Sequence, residues 1–192
     1  MTIGPLNGLR IIDLSMFVAG PFATATLAEL GAEIIKVEPL GGDPVRRNGV
    51  GPEIGGQSAQ FHTYNHGKRS VALDLKSAEG RKTVLQLAAS SDVIFDNFRP
   101  GVMARLGLSH DDLGAENPKL VAVSLSGFGS TGPWAKRAGY DLIVQALSGG
   151  LSLSGHTETG PAHIPYHLGD TAGGLYAAIA ILAAVREAEI TG

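Results

Sequence analysis

Asp170 is the residue best suited to carry chemistry. It stands in Leu168-Gly169-Asp170-Thr171-Ala172-Gly173-Gly174, at the head of the most apolar helical stretch of the chain. A carboxylate kept ionised by a helix N-terminus can act as a covalent nucleophile, and the same positive end can stabilise an oxyanion. Gly169, Gly173 and Gly174 lack side chains and would let a bulky ligand approach the backbone. Aspartate is also a favoured N-cap, and capping alone accounts for an Asp ahead of a helix. The residue types leave both readings open. His167, three positions earlier, is placed either to move a proton or simply to sit at the surface.

Two other clusters accompany it. Asp96-Asn97-Phe98-Arg99-Pro100-Gly101, followed by Arg105, gathers amide, ring and guanidinium groups at a strand end. That set suits a nucleotide, with the ring against a base and arginine paired to phosphate. The local alternative is Arg99 in a salt bridge and Phe98 in the core. The segment Met16–Pro21 joins a strand to a helix, where backbone N–H groups welcome an anion, and it reads equally well as a tight turn. It has no GxGxxG pattern, which counts against a nicotinamide cofactor. Lys68, Arg69 and Lys76 either add positive charge nearby or are solvated. None of the six histidines stands at a recognised metal spacing, so no metal is expected.

The elements that must position these groups follow from the apolar pattern. Leu9–Leu14, Glu33–Val37, Ser70–Leu75, Val93–Phe95 and Leu120–Leu125 read as short β-rich strands. Helices alternate with them: Phe22–Leu30 ending at Gly31, a helix capped by Ser77 and running to Ala89, two short ones before Leu120, Asp141–Leu147, and Thr171–Glu189. Leu40–Gln60 is Gly-rich, carries Pro44 and Pro52, and reads as a long surface loop. Strands alternating with helices predict a doubly wound, mostly parallel α/β sheet (Rossmann-like) with helices on both faces. In such sheets ligands lie beyond the carboxyl ends of the strands. Ser15–Pro21, Leu73–Lys76, Asp96–Gly101 and Ser126–Gly132 all fall on that edge.

Composition narrows the classes. The 192 residues carry 15 Lys and Arg against 18 Asp and Glu, a formal charge of −3 that offers nothing to nucleic acid. The absence of cysteine removes disulfides and thiolate chemistry. The first residues form no secretory signal, and the apolar run Leu175–Val185 is short for a bilayer span, so a cytoplasmic protein without membrane attachment is expected. Gly192 reads as a C-cap leading into further chain.

Taken together the segments resemble the class III coenzyme A transferase family, which includes formyl-CoA transferase, carnitine CoA-transferase and α-methylacyl-CoA racemase. The resemblance rests on Leu6-Asn7-Gly8-Leu9-Arg10, Ala19-Gly20-Pro21, Leu30 to Glu38, Asn65 to Ser70, Leu73 to Lys76, Asn97 to Gly101, Gly127-Phe128-Gly129 and Gly169-Asp170. It implies that Asp170 attacks an acyl-CoA thioester and that CoA then passes through an enzyme thioester to an acceptor carboxylate. By the same resemblance Val18, Ala19, Leu73, Lys76, Asn97, Phe98, Arg99 and Arg105 would hold CoA, with Arg137 to Tyr140 closing the site. CoA is then a substrate, no cofactor is permanently bound, and the other partner is a small carboxylic acid. The family forms interlocked homodimers. Pro39 stands where some members carry an arginine, and Arg46 or Arg47 would substitute.

Racemases of the family pair the aspartate with a histidine about 30 residues earlier, where this chain has Tyr140. A phenol is a poor base at neutral pH, which favours transfer over an α-methylacyl-CoA racemase or epimerase. Family members are also longer. Residues 1–192 are expected to form the N-terminal part of the large domain, without the small domain and returning C-terminal segment, so a fragment that only binds CoA is a further reading.

Overall fold

The computed structural model describes residues 4–191. In chain order these form β1 (Arg10–Asp13), α1 (Ala19–Glu29), β2 (Glu33–Glu38), α2 (Val45–Asn48), β3 (Glu53–Ile54), β4 (Gln57–Ser58) and α3 (Ala59–Asn65). There follow β5 (Arg69–Ala72), α4 (Ala78–Ala88), β6 (Val93–Asp96), α5 (Val102–Arg105), α6 (His110–Glu116) and β7 (Val121–Ser124). The last part holds α7 (Asp141–Leu147), a 3-10 turn at Gly150–Leu153, β8 (Gly155–His156), β9 (Gly160–Pro161) and α8 (Leu168–Thr191).

Five strands build one sheet in the order β5-β2-β1-β6-β7, every pair parallel. The side-chain period of two then sorts the apolar residues between its faces. Ile11, Ile34, Val93 and Phe95 meet Ala23 and Leu27 of α1 and Ala177, Ala178 and Ile181 of α8. Their neighbours Ile12, Val37 and Ile94 meet Val84 and Ala88 of α4 on the other side, with Leu108 and Leu113. Each fully buried Ile contributes about 2 kcal/mol of transfer free energy. Helices cover both faces, as the strand–helix alternation predicts.

Two expectations need correction. Leu40–Gln60 is not an irregular loop: it holds α2 and the β3–β4 hairpin and leads into α3. Phe61 and Asn65, four apart on one face, are the buried residues of α3, and one ring with one polar residue makes no apolar period. Second, α8 begins before Asp170 and runs 24 residues, long and apolar enough by length and composition to cross a bilayer. Its buried face packs on α1 and the sheet, whereas Leu175, Tyr176 and Ile179 are exposed.

Adjacent glycines of α8 face different surroundings. A Cβ at Gly174 would lie 2.5 Å from the Ala19 carbonyl oxygen, so this glycine sets how closely α8 packs on α1. A Cβ at Gly173 would meet nothing nearer than Leu125, at 3.9 Å. Gly173→Ala is therefore expected to stabilise the fold by about 1 kcal/mol through helix propensity. Gly174→Ala should destabilise it by about 1–3 kcal/mol through overpacking. Thermal unfolding of the two variants would expose a wrong helix register if the order were reversed.

Candidate functional site

The chain leaves β1 toward β2 on one side and enters β6 on the other, so the sheet order reverses between β1 and β6. The loops that follow these two strands are the expected place for a ligand. They are fastened to each other: the Asn97 side chain accepts from the Met16 N–H (2.9 Å) and donates to the Met16 carbonyl (2.7 Å). Phe17, next in line, has φ 68°, the only positive φ among the described non-glycine residues. That conformation costs of order 1–3 kcal/mol and persists only where neighbours impose it.

The neighbours are charged and buried. Lys36, 1% exposed, donates from Nζ to the Ser15 carbonyl at 2.7 Å and lies 3.1 Å from Asp43 Oδ2. Lys68 donates to Asp13 Oδ2 (3.0 Å), the Pro21 carbonyl (2.9 Å) and Asn65 Oδ1 (3.0 Å). Asp13 also accepts from the hydroxyls of Ser15 and Thr24. Burial pushes the Asp13 carboxyl up, but Lys68, Lys36 and the two hydroxyls outweigh it and hold it at about 2. Burial brings the Lys68 ammonium down to about 8 despite Asp13 beside it. Lys68 is thus a post under the β1–α1 loop and not the solvated or ligand-facing charge expected of it.

Above this floor opens a cavity of about 540 Å³, lined by Met16–Ala19, Asn97–Pro100, Leu125–Gly127, Arg137–Tyr140 and the first turns of α8 with Asp170 and Gly173. Asp170 is half-buried and its carboxylate makes no hydrogen bond among the described residues. Capping does not explain it. The cap of α8 comes from α7, where Asp141 Oδ1 accepts the N–H groups of Gly169 (2.7 Å) and Asp170 (3.1 Å). These are the amides expected to stabilise an oxyanion, and they are already engaged. The expected depression of the Asp170 carboxyl is reversed as well. Burial first, and the Asp141 charge second, push it up to about 6, with His167 pulling it part of the way back. It remains mostly ionised at pH 7.

Val18, Ala19, Asn97, Phe98, Arg99, Arg137, Tyr140 and Asp170 thus share one cavity. Asn97 has its amide committed to Met16, and Arg137 stacks over Trp134 at 4.8 Å from the ring centroid. Lys76 and Arg105 fall outside, in a smaller cavity of about 300 Å³ that also has Arg81 on its wall. Leu73 lines neither; it packs, partly buried, against the core cluster on the α4 side of the sheet. Gly174 is turned to α1 and not to a ligand. Arg46 is no free substitute for an arginine at position 39, because it forks onto Glu38 at 2.7 and 2.6 Å and covers the Phe61 ring. Asp141 escaped sequence reading. An acid in the first turn of α7 looks like an ordinary dipole partner, and its bond to residue 169 spans 28 positions.

The chain as a whole is similar to known proteins. The model of CoA-transferase family III matches residues 6–192. Acetyl-CoA:oxalate CoA-transferase of Acetobacter aceti is 43% identical over 191 residues, 98% of this chain and 49% of that protein. The alpha subunit of succinyl-CoA–L-malate CoA-transferase of Chloroflexus aurantiacus is 43% identical over 192 residues, 98% of this chain and 44% of its own. A CAIB/BAIF family protein of Brucella suis superposes with a TM-score of 0.93 at 41% identity, covering 98% of this chain and 51% of that one. The chain spans about half the length of these relatives. With a match running through nearly every described element, the chain belongs to CoA-transferase family III.

Proposed function

We propose that the protein carrying this chain transfers CoA from an acyl-CoA thioester to a carboxylic acid through a covalent intermediate on Asp170. The observation that carries this is a half-buried carboxylate, free of hydrogen bonds among the described residues and facing a cavity that also presents Arg99 and Arg137. A raised carboxyl is more nucleophilic than an ordinary one and still ionised at neutral pH.

The steps balance without an added reagent. The Asp170 carboxylate attacks the thioester carbonyl, the C–S bond breaks, and CoA leaves as thiolate from a mixed anhydride. The thiolate attacks the aspartyl carbonyl and releases the donor carboxylate, leaving CoA as a thioester on Asp170. The acceptor carboxylate attacks that carbonyl and expels the thiolate. The thiolate finally attacks the acceptor carbonyl, giving the new acyl-CoA and regenerating Asp170. Arg99 is suited to CoA phosphate at the cavity rim, and Lys76, Arg81 and Arg105 to a further phosphate in the smaller cavity. Tyr140 in the cavity wall gives racemisation no second base, which argues against the epimerase alternative.

Incubating the full-length protein with an acyl-CoA and no acceptor tests the proposal by mass spectrometry of the proteolytic peptide containing Asp170. The expected result is a peptide heavier by CoA, lost on adding hydroxylamine or a carboxylic acceptor. A peptide that stays unmodified, in protein that turns over once acceptor is supplied, would refute the covalent route.

A further inference from the structure

Resting on the transferase reading of Asp170, we infer that Asp141 is its positioning residue: reaching across from α7, it fixes the Asp170 main chain at the cavity and stands as a permanent negative neighbour to the nucleophile. One Asp141 oxygen accepts from the N–H groups of both Gly169 and Asp170. The other accepts from Gln145 Nε2 at 2.7 Å. Gln145 is buried and itself ties the segment ahead of α8, donating to the Tyr166 carbonyl (3.1 Å) and accepting from the Ile164 N–H (3.0 Å). Asp141 and Gln145 together therefore hold residues 164–170 against α7. Gly169 makes the approach possible, since a Cβ there would lie 2.9 Å from Val144 Cγ1 and 3.2 Å from Asp141 Oδ1.

Two consequences follow for the site. The Asp170 peptide cannot slide along the helix axis without breaking two charge-assisted bonds. The positive end of α8, which would otherwise stabilise the Asp170 anion and dull it as a nucleophile, is neutralised by Asp141. The nucleophile keeps a higher proton affinity, consistent with its position at about 6. The other titratable groups near it are Tyr64 from α3 and His167 just ahead of its own helix, and Tyr140, Arg99 and Arg137 line the same cavity. Among the described residues Asp141 is the one anion with this access.

The test uses Asp141→Asn and Asp141→Ser in the full-length protein, both of which keep a neutral acceptor for the two amides. The acid limb of kcat/KM should move down by roughly one unit from about 6 as the like charge is removed. The rate on the plateau should fall by about tenfold, with KM for acyl-CoA little changed. An acid limb that stays in place in a folded variant would overturn the inference and leave Asp141 as a mere cap. Should both variants fail to fold, titration of a ¹³C-labelled Asp170 carboxyl in the unmodified protein decides: a midpoint at the ordinary aspartate position overturns it too. An Asp170→Ala variant that still transferred CoA would sink the parent reading instead, so the two failures are told apart.

Discussion

Asp170→Ala in the full-length protein is expected to lower kcat for CoA transfer by at least about a thousandfold, with the fold intact and acyl-CoA still bound. The size follows from the role: with the nucleophile gone, no covalent route remains, and only proximity of donor and acceptor is left. Structural damage should be small because the carboxylate holds no partner that alanine would orphan. The linkage sign makes the prediction sharper. The Asp170 carboxyl is raised to about 6 in the fold from 3.8, so ionising it costs stability as pH rises through that interval, and at pH 7 the cost is present. Alanine removes it. The melting temperature at pH 7 should accordingly be equal to or above that of the unmodified protein. In the unmodified protein activity should rise with pH through about 6. A dead variant that is also unfolded, or a folded one that turns over normally, would each contradict the assignment.

The largest expected stability effect lies beneath the cavity. Asp13→Ala should cost about 3–5 kcal/mol in chemical denaturation, because it leaves the buried Lys68 ammonium beside no carboxylate, whereas Lys36 keeps Asp43. The Lys68 and Asp13 side chains are 2% and 0% exposed, so water cannot take over the lost partner. Replacing both members, Asp13→Leu with Lys68→Met, should recover much of the loss, since the penalty is the orphaned charge and not the missing attraction. Acid stability has the matching sign. The Asp13 carboxyl sits at about 2 against 3.8, so its contribution is complete above about pH 4 and disappears as pH falls through about 2. Simple additivity of the two single substitutions would show that the pair is not coupled.

Much of the scaffold was legible because it is written in local patterns. The β-branched runs at Ile11, Ile34 and Val93 announce buried parallel strands. Ser77 and Ser109 cap α4 and α6 as their positions before those helices suggest. Asp141–Leu147 forms the helix its apolar spacing implies. What escaped was decided by partners far along the chain. Lys68 reads as a surface lysine until β5 carries it to Asp13, 55 positions away. Asp170 looked like an ionised helix-terminal acid until Asp141 took the cap and its own surroundings dried out. Whether Gly173 or Gly174 faced the ligand depended on the rotation of α8 against α1, which an almost uniformly apolar helix does not reveal. Leu73 and Arg105 lie on the right edge of the sheet but a few residues aside from the main cavity, a distinction below the resolution of strand-end reasoning.

The amide of Asn97 extends the parallel pairing of β1 and β6 by one rung beyond where the two backbones diverge. The cavity floor inherits the stiffness of the sheet, and the left-handed backbone at Phe17 follows directly on the Met16 peptide that Asn97 holds. Any adjustment of the cavity's shape is thereby left to the remaining lining, Arg137–Tyr140 foremost, since Asp141 holds the start of α8. The chamber thus has one stiff wall, and whatever shaping a ligand demands falls to the other.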